Sequence, residues 1–445
     1  MRLSKFTKAS VYTMVAAALT VGVLAGGEAR AEDGQYVPGM VYRTGPYAPG
    51  GIPWADGYAD YFTLLNERDG GIGGVKILYD ECDSAYNNDK GVECYEKMKG
   101  QGPTGASAFQ PLSTGISYAI LDRVRADKIP LITSGLGRAD ASVGSVFPYV
   151  FTLPVTYWAG ADAIVQYIGQ QEKGALKGKK IALVYHDSAY GKEPIKTLEA
   201  LAAKEGFELS LFPVPHPGLE QKATWLKIGR QLRPDYVIMW GWGVMNATAL
   251  KEAAAVGFPM DHFIGVWWSG SEVDMNAAGE VAKGFKAAQF ILPGNSFGVY
   301  KDLKAKVFDA GKAKGEAAEH GTVIYNRGLG AALLTAEGIK VAQDKFGKKP
   351  LTGEQIQWGV EHINLSPERL EQIGFSGMIN PVKLSCDDHE GGGSVIITQW
   401  DGKEWQPASD WIMPRREGFL RPMYEESAMA YAKEKGITPR DCSKE

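Results

Sequence analysis

GASAFQPLSTGISYAILDRVRADKIPLITSGLGRAD, residues Gly105 to Asp140, is the stretch whose reading decides the fold. Its apolar run Ala106–Phe109 reads as a buried strand that Gln110-Pro111 brings to an end. Ser113 and Thr114 then stand where a helix N-cap belongs, and Ile116, Ile120, Leu121 and Val124 recur behind them at helical spacing. A second apolar run, Ile129–Thr133, closes in the small-residue turn Ser134-Gly135-Leu136-Gly137. Two βα turns in succession predict one parallel sheet, and crevices at the carboxyl ends of such strands are where open α/β sheets take ligands. Hydroxyls and unpaired N–H groups at a helix start suit a carboxylate or another oxyanion. They serve equally as plain caps, and the two roles are compatible.

Outward from this stretch strand and helix keep alternating, which predicts an α/β fold with helices on both faces of parallel sheets. Toward the N-terminus, a strand over Tyr36–Tyr42 runs into a Gly/Pro-rich loop, Thr44 to Trp54, that carries exposed aromatics. A helix over Ala55–Asn66, a strand over Val75–Tyr79 and a helix over Lys90–Lys99 follow. On the other side, Phe151-Thr152-Leu153-Pro154 leaves the first sheet and a second series begins with a helix over Thr156–Gln170. Its predicted strands are Lys180–Tyr185, Glu208–Val214, Asp235–Trp240 and His262–Val266, with helices over Lys192–Lys204, Thr224–Leu232 and Val244–Ala255. Phe285–Ile291 reads as a further strand or crossover, and Lys301–Ala313, Tyr325–Phe346 and Thr352–His362 as helices. Ser394–Trp400 and Lys403–Pro407 form a hairpin about Asp401-Gly402, a strong turn signal. The tail from Pro414 holds one helix near Glu425–Lys435. With no linker between the halves, two interleaved lobes are expected, as 445 residues exceed what one core fills.

The first 31 residues read differently. Arg2, Lys5 and Lys8 precede an apolar run, Val11–Ala25, and Ala29-Arg30-Ala31 offers a small-residue cleavage site. That is the pattern of a secretory signal peptide cleaved after Ala31, with no cysteine at the junction to take a lipid. These residues hold four basic groups and one acidic, so the chain beyond them carries −7 against −4 for the whole. A mildly acidic surface without basic runs argues against nucleic acid as a partner.

An exported compartment permits disulfides among Cys82, Cys94, Cys386 and Cys442. Cys82–Cys94 closes a short loop and is favoured, which leaves Cys386–Cys442 to tie down the tail; four cysteines allow three connectivities, and spacing does not select among them. The spacings match no zinc pattern, and Cys386-Asp387-Asp388-His389-Glu390 reads as a polar turn rather than a ligand cluster. Neither a Walker loop nor a GxSxG elbow is present. GQGPTG (Gly100–Gly105) precedes a strand, where a dinucleotide fingerprint should follow one. The six histidines hold no i, i+4 pair. No metal, cofactor or catalytic group is expected, and an enzyme is the weaker class. The aromatics say more: Tyr47, Trp54, Tyr190, Trp242, Trp267 and Trp268 fall at loops and strand ends rather than in core periodicity. Converging on a cleft, such rings bury ligand surface.

In order and spacing, GYADYFTLLNERDGGIGG, FQPLSTGISYAI, IPLITSG, ALVYHDSAYGKE and VIMWGWG resemble the branched-chain amino acid (leucine-binding-protein-like) type of periplasmic solute-binding protein, over Tyr36 to Trp411. The resemblance implies the type I fold: two doubly wound parallel-sheet lobes joined by three crossings and closed over ligand like a hinge. It places the crossings near Leu153, Ile291 and Phe375. The first lobe then comprises residues 32–153 and 292–375, the second 154–291 and 376–412, and the tail 413–445. It implies a monomer that delivers a small molecule to an ABC permease in the inner membrane; the alternative is a sensor module for a membrane receptor. Ser113 and Thr114 match the grip on a ligand carboxylate, Ser134, Gly135 and Leu136 the next contact turn, and Tyr190 and Trp242 the second-lobe contacts. Tyr47 and Trp54 join them from the aromatic set. One departure stands out. Where amino-acid binders of this family carry an acid for the ligand ammonium, this chain has Trp267, with Glu272 nearby as the other candidate. The expected ligand is therefore an aromatic or otherwise apolar carboxylate, or an amide, without an α-amino group. Trp267→Ala is expected to weaken binding far more than folding.

Overall fold

The computed structural model describes residues 33–444; the expected signal peptide lies outside the described residues. In the first lobe, β1 (Gln35–Val41) pairs in parallel with β2 (Ile77–Asp83), and β3 (Leu131–Ile132) with β4 (Val150–Phe151). Residues 106–109, expected as a strand, form only a single β-bridge, Phe109 to Leu131, but their backbone still joins the two pairs. Ser107 N–H donates to the Tyr36 carbonyl (3.0 Å), Phe109 N–H to Pro130 (2.8 Å) and Ile132 N–H to Phe109 (2.9 Å). The spatial order is β2, β1, residues 106–109, β3, β4. It reverses between β1 and residues 106–109, and that switch point is where a doubly wound sheet opens a crevice.

The second lobe repeats this order. Strands β5 (Lys180–His186), β6 (Glu208–Val214), β7 (Tyr236–Trp240), β8 (Phe263–Gly265) and β9 (Lys286–Gln289) lie parallel as β6-β5-β7-β8-β9. The central strand β7 is buried throughout, as a strand covered on both faces must be. A small antiparallel pair, β10 (Asn364–Leu365) and β11 (Val382–Lys383), stands apart. The expected hairpin, β12 (Ile396–Trp400) and β13 (Trp405–Pro407), extends the second sheet antiparallel to β9. The fold is that of a type I two-lobed α/β protein, mixed but dominated by parallel strands.

One reading of the sequence fails. The stretch Thr44 to Trp54, expected as a loop with exposed aromatics, turns helical at Ala48, and that helix runs on to Asp69. Tyr47 and Trp54 are buried. Pro49 sits in the first turn, where its missing N–H removes no helix bond. The helix is held by a second one, Val323–Phe346, at backbone contact. A methyl on Gly57 would come within 2.2 Å of the Tyr325 carbonyl oxygen, and one on Gly328 within 2.1 Å of that of Trp54. Glycine at these two helical positions lets the two backbones touch.

Both disulfides form, Cys82–Cys94 and Cys386–Cys442. The stretch Cys386–Glu390 begins as a turn between Ser385 and Asp388, but His389 and Glu390 go inside. His389 Nε2 meets Glu361 Oε1 at 3.0 Å and its Nδ1 the Val150 carbonyl at 2.7 Å, while Glu390 accepts from Thr156 N–H at 2.9 Å. Against the upward push of burial, hydrogen bonds from His389 and Arg440 hold Glu361 down at about 2.

Candidate functional site

The carboxyl ends of both sheets face one cleft, and it is closed. Several polar contacts cross it. Trp267 and Trp268, after β8, donate both indole N–H groups to the Gly135 carbonyl after β3, at 2.7 and 2.9 Å. Tyr118 donates to Glu193, whose other oxygen accepts from Ala139 N–H at 3.2 Å. Tyr47 places its hydroxyl 2.7 Å from His186 Nε2 and 2.6 Å from His216 Nδ1. A phenol has one proton, so it donates to one imidazole and accepts from the N–H of the other.

Between these contacts lies a cavity, narrow in this closed state, lined by Tyr42, Tyr86, Leu112, Ser113, Thr114, Leu136, Tyr157, Tyr190, Trp242 and Trp268. Several come from the strand ends at the two switch points: Tyr42 after β1, Ser113 and Thr114 after residues 106–109, Tyr190 after β5, Trp242 after β7. Ser113 caps the helix Thr114–Asp127, accepting from Ile116 N–H at 3.3 Å, so capping and lining fall on the same residue. Thr114 Oγ1 accepts from Gly137 N–H at 3.2 Å, tying the first contact turn to the second. Tyr190 donates to the Gly241 carbonyl at 2.9 Å. Trp242 and Trp268 meet edge to face, centroids 5.5 Å apart. The indole N–H of Trp242 is buried beside the Tyr42 hydroxyl and makes no hydrogen bond of good geometry. Burial raises Tyr157 and Tyr190 far above the ordinary tyrosine range, so both remain neutral phenols.

Of the residues singled out from the sequence, Ser113, Thr114, Leu136, Tyr190 and Trp242 come together on this cavity, and Tyr47, Trp54, Ser134, Gly135 and Trp267 stand outside its lining. Trp54 stacks on Tyr58 (5.0 Å) within the first lobe. Gly135 offers its carbonyl to the two tryptophans, and Tyr47 joins the lobes through the histidines. Trp267 is wholly buried one layer back, stacked on Tyr157, and its neighbour Trp268 takes the lining position. Glu272 turns away, accepting from Val323 N–H at 3.1 Å at the start of the long helix. Tyr42, Tyr86, Leu112 and Tyr157 were not legible as lining: Tyr42 ends an ordinary strand and Tyr157 opens an ordinary helix.

A model of the periplasmic binding protein family matches residues 35–404. The chain belongs to that family. Among solved structures, this periplasmic binding protein is similar to an ABC transporter permease, so described, from the Pseudomonas fluorescens group, at 44% identity over 92% of this chain and 99% of that one, TM-score 0.86. A branched-chain amino acid ABC transporter protein from Thermus thermophilus with bound valine shares 22% identity over 88% and 100% of the two chains, TM-score 0.74. A solute-binding protein of an R. palustris ABC transporter in complex with benzoate shares 19% over 86% and 97%, TM-score 0.65. A search of curated proteins finds no match. The protein is thus a substrate-binding protein of the ABC-transporter type.

The histidine bridge gives a pH dependence with a definite sign. Burial, and then the neighbouring His216, push His186 from 6.5 down to about 4. Stability carried by the neutral ring is complete above pH 6.5 and is lost as pH falls through about 4. Glu193 moves the opposite way, raised to about 7 by burial, so its contribution is complete below about 4.5 and fades as pH rises through 7. The two overlap in one window, and a variant separates them. The melting advantage of wild type over His186→Gln is expected to be largest at pH 7.5 and to shrink steadily down to pH 4. A constant difference across melting scans would show that the imidazole does not titrate there.

Proposed function

We propose that this periplasmic binding protein captures a small, largely apolar carboxylate or amide without an α-amino group and delivers it to an ABC permease. The observation that carries this is the composition of the cavity wall. Among the described residues that line it there is no Asp or Glu, while Trp242 presents an indole N–H that makes no hydrogen bond of good geometry. An ammonium buried there would have no partner, whereas a carboxylate or amide oxygen would meet that donor and the Ser113 and Thr114 hydroxyls. A wall of six aromatic residues suits an apolar or ring-bearing ligand body, admitted when the lobes part.

The chain would be exported through residues 1–31, cleaved after Ala31, and work as a monomer in the periplasm. Closure would swing the lobes about crossings near Leu153 and Ile291. We place the third at the Gly391-Gly392-Gly393 run rather than near Phe375, because residues 376–392 keep their bonds on the first-lobe side: β11 pairs with β10, and the His389 carbonyl accepts from Thr152 N–H at 3.0 Å. Ligand contacts from both lobes then supply the differential affinity that shifts the open–closed equilibrium.

A thermal-shift panel tests the ligand class, setting leucine and valine against benzoate, phenylacetate, isovalerate and their amides. A ligand at 100 times its Kd stabilises by about 2.7 kcal/mol, a clear rise in melting temperature. A shift with the acids or amides and none with the amino acids is expected. A shift with leucine or valine would overturn the assignment.

A further inference from the structure

Arg327, on the helix Val323–Phe346, is a guanidinium with almost no exposed surface (1%). Its one hydrogen bond goes from Nη2 to the amide oxygen of Gln289, a neutral acceptor. Nε and Nη1 are buried without an acceptor. Among the described residues no carboxylate lies within ion-pair distance. The two acids whose charge acts on it are engaged elsewhere: Glu272 accepts from Val323 N–H, and Asp274 from Asn246 Nδ2 at 2.7 Å and Ser271 Oγ at 2.9 Å. A buried cation with two idle donors and no counter-ion is costly, and native interiors rarely keep one without a use.

Its position gives the use. The guanidinium carbon lies 5.1 Å from the centroid of Trp268 and 5.7 Å from that of Phe290. Trp268 is the ring that lines the cavity and meets Trp242 edge to face. The cation therefore stands directly behind the aromatic wall, in a medium that screens it poorly.

We infer that Arg327 is the charge-selecting residue of the site, the buried cation whose missing counter-ion is a carboxylate on the ligand. This rests on the reading of a small apolar ligand above and sharpens it: of carboxylate and amide, the site takes the carboxylate. Trp268 sits between the two charges, so Arg327 positions and selects through the field behind that ring.

Acid–amide pairs of equal shape test it. Titration calorimetry with benzoate and benzamide, and with phenylacetate and phenylacetamide, is run on wild type, Arg327→Met and Arg327→Lys. Wild type is expected to prefer the acid of the pair it binds by tenfold or more. Arg327→Met should lose that preference while holding the amide within about twofold, and Arg327→Lys, which keeps the charge, should recover part of it. A structural role would weaken acid and amide together, and that result, or a wild type preferring the amide, overturns the inference while leaving an apolar-ligand reading intact. Should wild type bind neither pair, the ligand class proposed above is wrong and the ligand-free proteins decide Arg327 alone. Removing a cation that waits for a ligand should raise the melting temperature of Arg327→Met, and a fall would make Arg327 a structural residue.

Discussion

Trp267→Ala lowers the stability of this protein by about 3–5 kcal/mol, the range for truncating a large buried aromatic. The ring has no exposed surface. It stacks on Tyr157 at 5.6 Å, meets Phe290 edge to face at 5.3 Å, and lies against Gly160, where a methyl group would approach its ring to 2.5 Å. Nothing nearby is free to fill the space, because Gly160 belongs to the buried face of the helix Tyr157–Gln171 and moves only with it. The Gly135 carbonyl keeps one donor, Trp268 Nε1, so the loss is chiefly packing. Trp268→Ala divides its effect the other way. Its ring forms cavity wall, so removing it weakens the ligand found by the panel by about 30-fold or more, the equivalent of about 2 kcal/mol. Urea unfolding and titration calorimetry on the two variants read both quantities. If Trp267→Ala left the urea midpoint unchanged and abolished binding, the layer assignment of the two tryptophans would be reversed.

Replacing Cys386 and Cys442 by serine is expected to cost about 4 kcal/mol, the chain-entropy value for a crosslink of this span. The bond joins residues 56 apart and fixes the end of a tail that crosses the molecule. Arg415 pairs with Asp162 at 2.8 Å and Arg416 with Asp388 at 2.6 Å. The helix Arg421–Lys435 sets Tyr424 on Trp158, with its hydroxyl 2.6 Å from Thr156 Oγ1, and Tyr431 on Phe147. None of these residues lines the cavity, so ligand affinity should hold while the urea midpoint falls. A loss below about 1 kcal/mol would mean that tail docking restrains the unfolded chain little less than the crosslink does. The shorter Cys82–Cys94 loop, 12 residues, should cost less to open.

Local sequence determined more of this protein than of its site. The alternation that began at Gly105–Asp140 was enough for parallel sheets with helices on both faces, because apolar runs ended by turn residues are governed by short-range chemistry, and the family resemblance supplied the two doubly wound lobes. Glu208–Val214 and Val244–Ala255 came out as read. Ser113, Thr114, Leu136, Tyr190 and Trp242 were legible because strand ends in such a sheet point toward the crevice, although Ser134, Gly135 and Trp267, at strand ends too, stop short of its lining. Only the tertiary structure decided what depends on partners far along the chain. Ala48 to Trp54 became helix because a helix some 270 residues later covers it. Which of two adjacent tryptophans faces the cavity was fixed by Tyr157 and Gly160 from another element. Glu272 was spent on a helix start at Val323, and Arg327, an unremarked basic residue within a helical pattern, came to rest behind Trp268 without a counter-ion. Sequence spacing carries the periodicity of one element, but burial, pairing and charge balance are set by which elements meet, and that is written across the whole chain at once.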